Sequence, residues 1–146
     1  MHTAAFREVI RPPLWLIGFL YFMLFSLVIA IWAAFDNRIA IISALVALLV
    51  GLLIIYKARE EISFDGKELK VGRAHIESQY CGNVTVLDRK EFLNARTRGV
   101  DPAAHLALLF WVSEGVKIEI NDSRDPTPYW LISTRRGKDL KQALAR

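Results

Sequence analysis

The sequence predicts a membrane α-helical hairpin followed by an α+β soluble domain. Two observations carry this. Leu14 to Phe35 and Ile39 to Tyr56 are long apolar runs without a charged residue, parted only by Asp36, Asn37 and Arg38. Beyond Lys57 the apolar residues alternate instead, in short stretches punctuated by Gly, Asp and Pro. That is the pattern of a small antiparallel β barrel or sandwich with a C-terminal helix, pleckstrin-homology-like in its order of elements.

Crossing a hydrocarbon core takes about 20 apolar residues, and both runs meet that. The link is too short to hold a domain, so the helices are antiparallel neighbours. The expected divisions are an N-terminal segment over 1–13, the hairpin over 14–56 (spans 14–35 and 39–56), and a β domain over 57–146. The first run is longer than a signal-peptide core, and Ile31-Trp32-Ala33 is a poor cleavage site.

Lys and Arg near span ends mark the cytoplasmic side. Arg7 and Arg11 precede the first span, and Lys57, Arg59, Lys67, Lys70 and Arg73 follow the second; the link holds only Arg38. Both termini are therefore expected in the cytoplasm, with the protein multi-pass in the plasma membrane. Trp15, Trp32 and Tyr56 sit where an interfacial aromatic belt belongs. Neither span holds Asp, Glu, Lys, Arg or His, which favours an anchor over a proton or ion path. Ser26 and Ser43 have their own helix backbones to bond. Gly18 and Gly51 offer close helix approach without forming a GxxxG pair.

From Lys57 onward there are 16 Lys and Arg against 13 Asp and Glu, too even a balance for a nucleic-acid face. Cys81 is the one cysteine, so no disulfide framework exists.

Ile62 and Phe64, a turn at Asp65-Gly66, then Leu69 and Val71 predict a hairpin. His75 to Tyr80 and Asn83 to Leu87 read as two more strands. Asp88-Arg89-Lys90-Glu91 has capping-box spacing and opens a short helix through Phe92, Leu93 and Ala95 that ends before Gly99. Leu106 to Val112, nearly all apolar, reads as a strand in preference to a short helix. Val116, Ile118 and Ile120 alternate along a half-exposed strand. Tyr129 to Thr134 is the last strand, and Lys138 to Ala145 a helix with Leu140, Ala143 and Leu144 on one face. The count is about seven strands and a terminal helix.

The most distinctive stretch is Asp125-Pro126-Thr127-Pro128-Tyr129-Trp130, continuing through Leu131 to Arg136. Alternation sends Tyr129, Leu131 and Ser133 to one face and Trp130, Ile132 and Thr134 to the other. This motif resembles the C-terminal signature of a bacterial family of small two-span membrane proteins, domain-of-unknown-function family 3093. Val71-Gly72-Arg73 and the Asp-Pro-x-Ala element at Asp101 to Ala104 fit the same layout. The chain departs from it at Gly137, where proline is expected. The resemblance implies membrane residence and no established activity, so it carries over no catalytic residue.

Candidate ligand or lipid contacts are Tyr129, Trp130, Arg135 and Arg136. The arginines suit phosphate oxygens, or else an ion pair with a carboxylate such as Asp125. Tyr129 and Trp130 suit a ligand platform, or else the core. His2, His75 and His105 form no metal-ligand spacing, and Asp122 and Asp125 read as turn residues. No GxSxG, P-loop or dinucleotide glycine pattern occurs. No catalytic residue, metal or cofactor is expected. The chain reads as a non-enzymatic, membrane-anchored module for a protein partner or lipid headgroups. An accessory subunit of a larger membrane complex is the alternative. A membrane-bound enzyme built around Tyr129, Arg135 and Asp125 comes third. Expected partners are membrane lipids and a membrane protein, with no nucleic acid.

Overall fold

The computed structural model describes residues 5–145. His2 and Arg146 lie outside them, as does the start of the 1–13 segment. The chain forms two compact units. One is the helical hairpin, Arg11–Arg59. The other is an α+β unit of residues up to Ile10 together with Glu60 onward.

In the hairpin, α1 (Leu14–Ala34) and α2 (Asn37–Lys57) are each 21 residues long. At 1.5 Å per residue that is about 31 Å, enough to cross a hydrocarbon core. Asp36 caps α2, its carboxylate accepting from the Ile39 N–H at 3.0 Å. Trp32 Nε1 donates to Asn37 Oδ1 at 2.8 Å, tying the turn to the end of α1. Ser26 and Ser43 donate to the Phe22 and Ala40 carbonyls, the expected backbone bonds. α1 buries no residue, and α2 buries only Ala40 and Gly51.

In the other unit, β1 (Phe6–Ile10), β2 (Glu60–Phe64), β3 (Glu68–Val71) and β4 (Ala74–Glu77) form one antiparallel sheet in sequence order. After a 3-10 turn at Ser78–Tyr80 comes the second sheet. It holds β5 (Cys81–Leu87), β6 (His105–Ala107), β7 (Gly115–Ile120) and β8 (Tyr129–Ser133), in the order β5-β7-β8-β6. α3 (Arg89–Thr97) follows β5, and α4 (Gly137–Leu144) ends the unit. A core of Phe6, Ile10, Ile62, Phe64, Leu69 and Val71 from one sheet meets Val84, Val116, Ile118, Trp130 and Ile132 from the other, with Leu140 of α4. The result is two open sheets around one core, not a closed barrel.

Three sequence expectations need correction. Within the segment expected over 1–13, Phe6–Ile10 belongs to the β unit. Phe6 to Ile10 pair residue by residue with Phe64 to Glu60. Leu106 to Val112 is not one strand. Only His105–Ala107 pairs, and Val112 N–H closes a turn on the Leu109 carbonyl. The arrangement is also not wholly antiparallel, because β6 runs parallel to β8.

The turns match their chemistry. Gly66 (φ 95°) and Gly72 (φ 58°) supply the positive φ of the β2–β3 and β3–β4 connections. Asp88 accepts from the Lys90 and Glu91 N–H groups while Glu91 reaches back to the Asp88 N–H, completing the expected capping box of α3.

Candidate functional site

The Asp125 to Arg136 segment forms the middle strand β8 and its exit into α4. Its alternation divides as expected. Trp130 and Ile132 face the core between the sheets. Tyr129 and Leu131 face the other way, under Phe92 of α3. All five residues of β8 are buried.

Tyr129 and Trp130 therefore do not share a platform. The Tyr129 hydroxyl accepts from the Asp101 N–H at 2.9 Å and donates to the Gly99 carbonyl at 3.2 Å. It pins the loop after α3, which is where Asp101-Pro102 acquires its role. Lys117 Nζ lies 4.2 Å from the centre of its ring. Trp130 packs against the His105 ring, with centroids 4.6 Å apart.

The end of the segment grips β1. Thr134 donates to Glu8 Oε2, and the Arg135 N–H donates to Glu8 Oε1 at 3.2 Å. The Arg136 N–H in turn donates to Thr134 Oγ1 at 3.0 Å. Glu8 is only 8% exposed, so this carboxylate is held by donors the motif supplies. The Arg136 guanidinium binds Asp139 at 2.8 Å, donates to the Arg7 carbonyl at 3.3 Å, and lies 5.2 Å from the Phe6 ring centre. Arg136 is thus a clamp between α4 and β1. Its carboxylate partner is Asp139, not Asp125, which accepts from the Thr127 N–H and is held below the usual range by its bonds to Thr127.

Arg135 is exposed and lines a recess of about 310 Å³ with Trp111, Val112, Ser113 and Glu114. Trp111 Nε1 is buried without a partner among the described residues. Nothing in the sequence marks this loop as a site, because its apolar run has the character of a strand.

Gly137 stands at the first position of α4, where a Cβ would come within 3.0 Å of Val116 Cγ1 and 3.2 Å of Val86 Cγ1. A glycine there lets the helix start close against β5 and β7.

Among the described residues, no group of three or more His, Cys, Asp or Glu is placed to hold a metal ion. A family model described as "Protein of unknown function (DUF3093)" matches residues 5–144. The chain belongs to this family. No curated protein and no solved structure matches it. The match begins ahead of β1 and runs through α4, so in this DUF3093 chain it takes in the strand before the hairpin as well as the sheets after it.

Proposed function

We propose that this protein is an integral membrane module of the bacterial plasma membrane, anchored by two spans and displaying a non-enzymatic interaction domain in the cytoplasm. One observation carries the reading: the hairpin is inserted between two adjacent, paired strands. Ile10 pairs with Glu60, so the chain leaves the sheet and returns to the neighbouring position after both helices. This favours one side of the membrane for both helix ends. The lysines and arginines flanking the spans favour the cytoplasm. Helices apolar on all sides that bury almost nothing within the protein suit lipid surroundings.

We read the two sheets and closing helix as a pleckstrin-homology-like arrangement, and such a domain suits a protein or lipid-headgroup ligand. Arg135 is the contact we favour among the four candidates. Tyr129, Trp130 and Arg136 are engaged inside the fold, whereas Arg135 opens onto the recess beside Trp111. A photo-crosslinking residue in place of Arg135, used in the native membrane, is expected to give a discrete adduct with one lipid class or one protein. Absence of any adduct there and at Arg73 would remove the interaction reading. A reporter fused after Arg146 should be active only on the cytoplasmic side, and activity only outside overturns the topology.

The accessory-subunit reading draws on Gly18. Gly51 is covered by the Tyr21 ring of the same chain, but nothing lies within 4 Å of where a Gly18 Cβ would be. That leaves a bare spot on α1 for another helix.

A further inference from the structure

We propose that the segment from Leu106 to Trp111, the end of β6 and the turn after it, is a lipid-inserting wedge that seats the α+β unit on the membrane interface. The inference rests on the reading that α1 and α2 cross that membrane.

The segment is apolar, and Ala107, Leu108, Leu109 and Trp111 pack partly against the core, which leaves two of its side chains open. Phe110 is 65% exposed and Leu106 41% exposed, two of the few large apolar side chains left open on this unit. Phe110 meets the Trp111 ring edge-on, with centroids 4.9 Å apart. Phe and Leu, with Trp, are the side chains that interfacial segments bury at the boundary between headgroups and acyl chains.

Position in the fold says what covers it. Leu106, Ala107, Leu108 and Leu109 line a cleft of about 150 Å³ together with Glu60, Ile62 and Val71. Glu60 is the first residue of β2 and pairs with Ile10, the last of β1. Both are where the chain passes to the helices. Only Arg11–Pro13 and Ala58–Arg59 intervene, and at about 3.6 Å per residue these span no more than roughly 11 to 14 Å. The wedge thus lies at the tethered end of the unit. The β3–β4 turn is at the same end, since the Gly72 N–H bonds the Glu61 carbonyl, and it presents Arg73. On the segment's other flank Arg135 lines the recess with Trp111. Arg73 and Arg135 flank the apolar side chains, with Glu60 in the cleft and Glu114 in the recess beside them, and the two guanidiniums suit headgroup phosphates above inserted apolar side chains.

The test uses the full chain with Cys81→Ala, reconstituted in phosphatidylethanolamine–phosphatidylglycerol vesicles containing nitroxide-labelled lipid. Single cysteines carrying an environment-sensitive fluorophore are placed by Phe110→Cys, Leu106→Cys, Lys67→Cys and Leu45→Cys. Position 67 sits by the Asp65-Gly66 turn, at the opposite end of β2 from Glu60. Position 45 is midway along α2. The labels at 110 and 106 should be blue-shifted and quenched by shallow nitroxides, and the label at 45 by deep ones, with the label at 67 unaffected by either. Quenching at 45 without quenching at 110 and 106 overturns the wedge alone. No quenching at 45 overturns the spanning reading beneath it.

Discussion

Glu8 and Thr134 are 126 positions apart and share a buried hydrogen bond, with the whole hairpin between them in sequence. The carboxylate also takes the Arg135 N–H, and Thr134 takes the Arg136 N–H, so a single acid organises the start of α4. Replacing Glu8 by Ala leaves the buried Thr134 hydroxyl and the part-buried Arg135 N–H without their acceptor. Each such group costs about 1–3 kcal/mol. Glu8→Ala is therefore expected to lower thermal stability clearly in mild detergent, and Thr134→Val to do likewise. The double variant should lose less than the sum of the two. Additive losses would mean that the pair does not interact in solution.

Gly115 is expected to be among the least replaceable residues of the second sheet. A Cβ there would lie 2.3 Å from the Ile132 carbonyl oxygen and 2.3 Å from Phe92 Cε2. Phe92 is fully buried and covers Leu131 and Tyr129, so its ring has nowhere to retreat. Gly115→Ala should cost about 1–3 kcal/mol through overpacking. At Gly99 the nearest atom to an added Cβ is 3.7 Å away. Gly99→Ala is the matched control and should change stability little. Equal effects of the two in a detergent melt would contradict the packing described for Phe92.

Much of this fold is legible in the sequence because local chemistry and final structure agree. The capping box at Asp88, the turn at Gly66 and the two faces of β8 each depend on residues a few positions apart. β1 is hidden for a physical reason. Its inward positions are Phe6, Glu8 and Ile10, and the central one is a charged residue whose partners lie near the far end of the chain. Reading inward alternation there requires knowing that Thr134 and Arg135 will satisfy the acid. The Leu106 to Val112 run fails oppositely. Apolarity suggests burial, yet Phe110 is open to the surroundings. Arg136 looks like a phosphate ligand in sequence, but its contacts with Asp139, Phe6 and the Arg7 carbonyl fix α4 to β1.

The hairpin has its own asymmetric pair. An added Cβ at Gly51 would meet the Tyr21 ring at 2.7 Å, whereas Gly18 is open. Gly51→Leu should displace Tyr21 and loosen the contact of α1 with α2. A cysteine crosslink between facing positions of the two helices would then form more slowly than in the parent. Gly18→Leu should leave that crosslink unchanged. If it also abolishes co-purification of a membrane partner, lateral packing through α1 gains support. An unchanged crosslinking rate in Gly51→Leu would contradict the packing of Tyr21 on Gly51.

Cys81 gives a prediction with a defined sign. Burial pushes its thiol from 9.0 up to about 11, since a thiolate loses hydration inside the unit. The thiolate is the reactive form, so the folded chain holds roughly a hundredfold less of it at pH 8 than the denatured chain does. Alkylation by iodoacetamide should be slower by about that factor in the folded chain than after denaturation. Because the folded state holds this proton more tightly, its contribution to stability is full below about pH 9 and is lost as pH rises through about 11. A base-induced weakening in that window should shrink in Cys81→Ala. Folded and denatured chains alkylating at equal rates at pH 8 would show that the thiol is not desolvated at the start of β5.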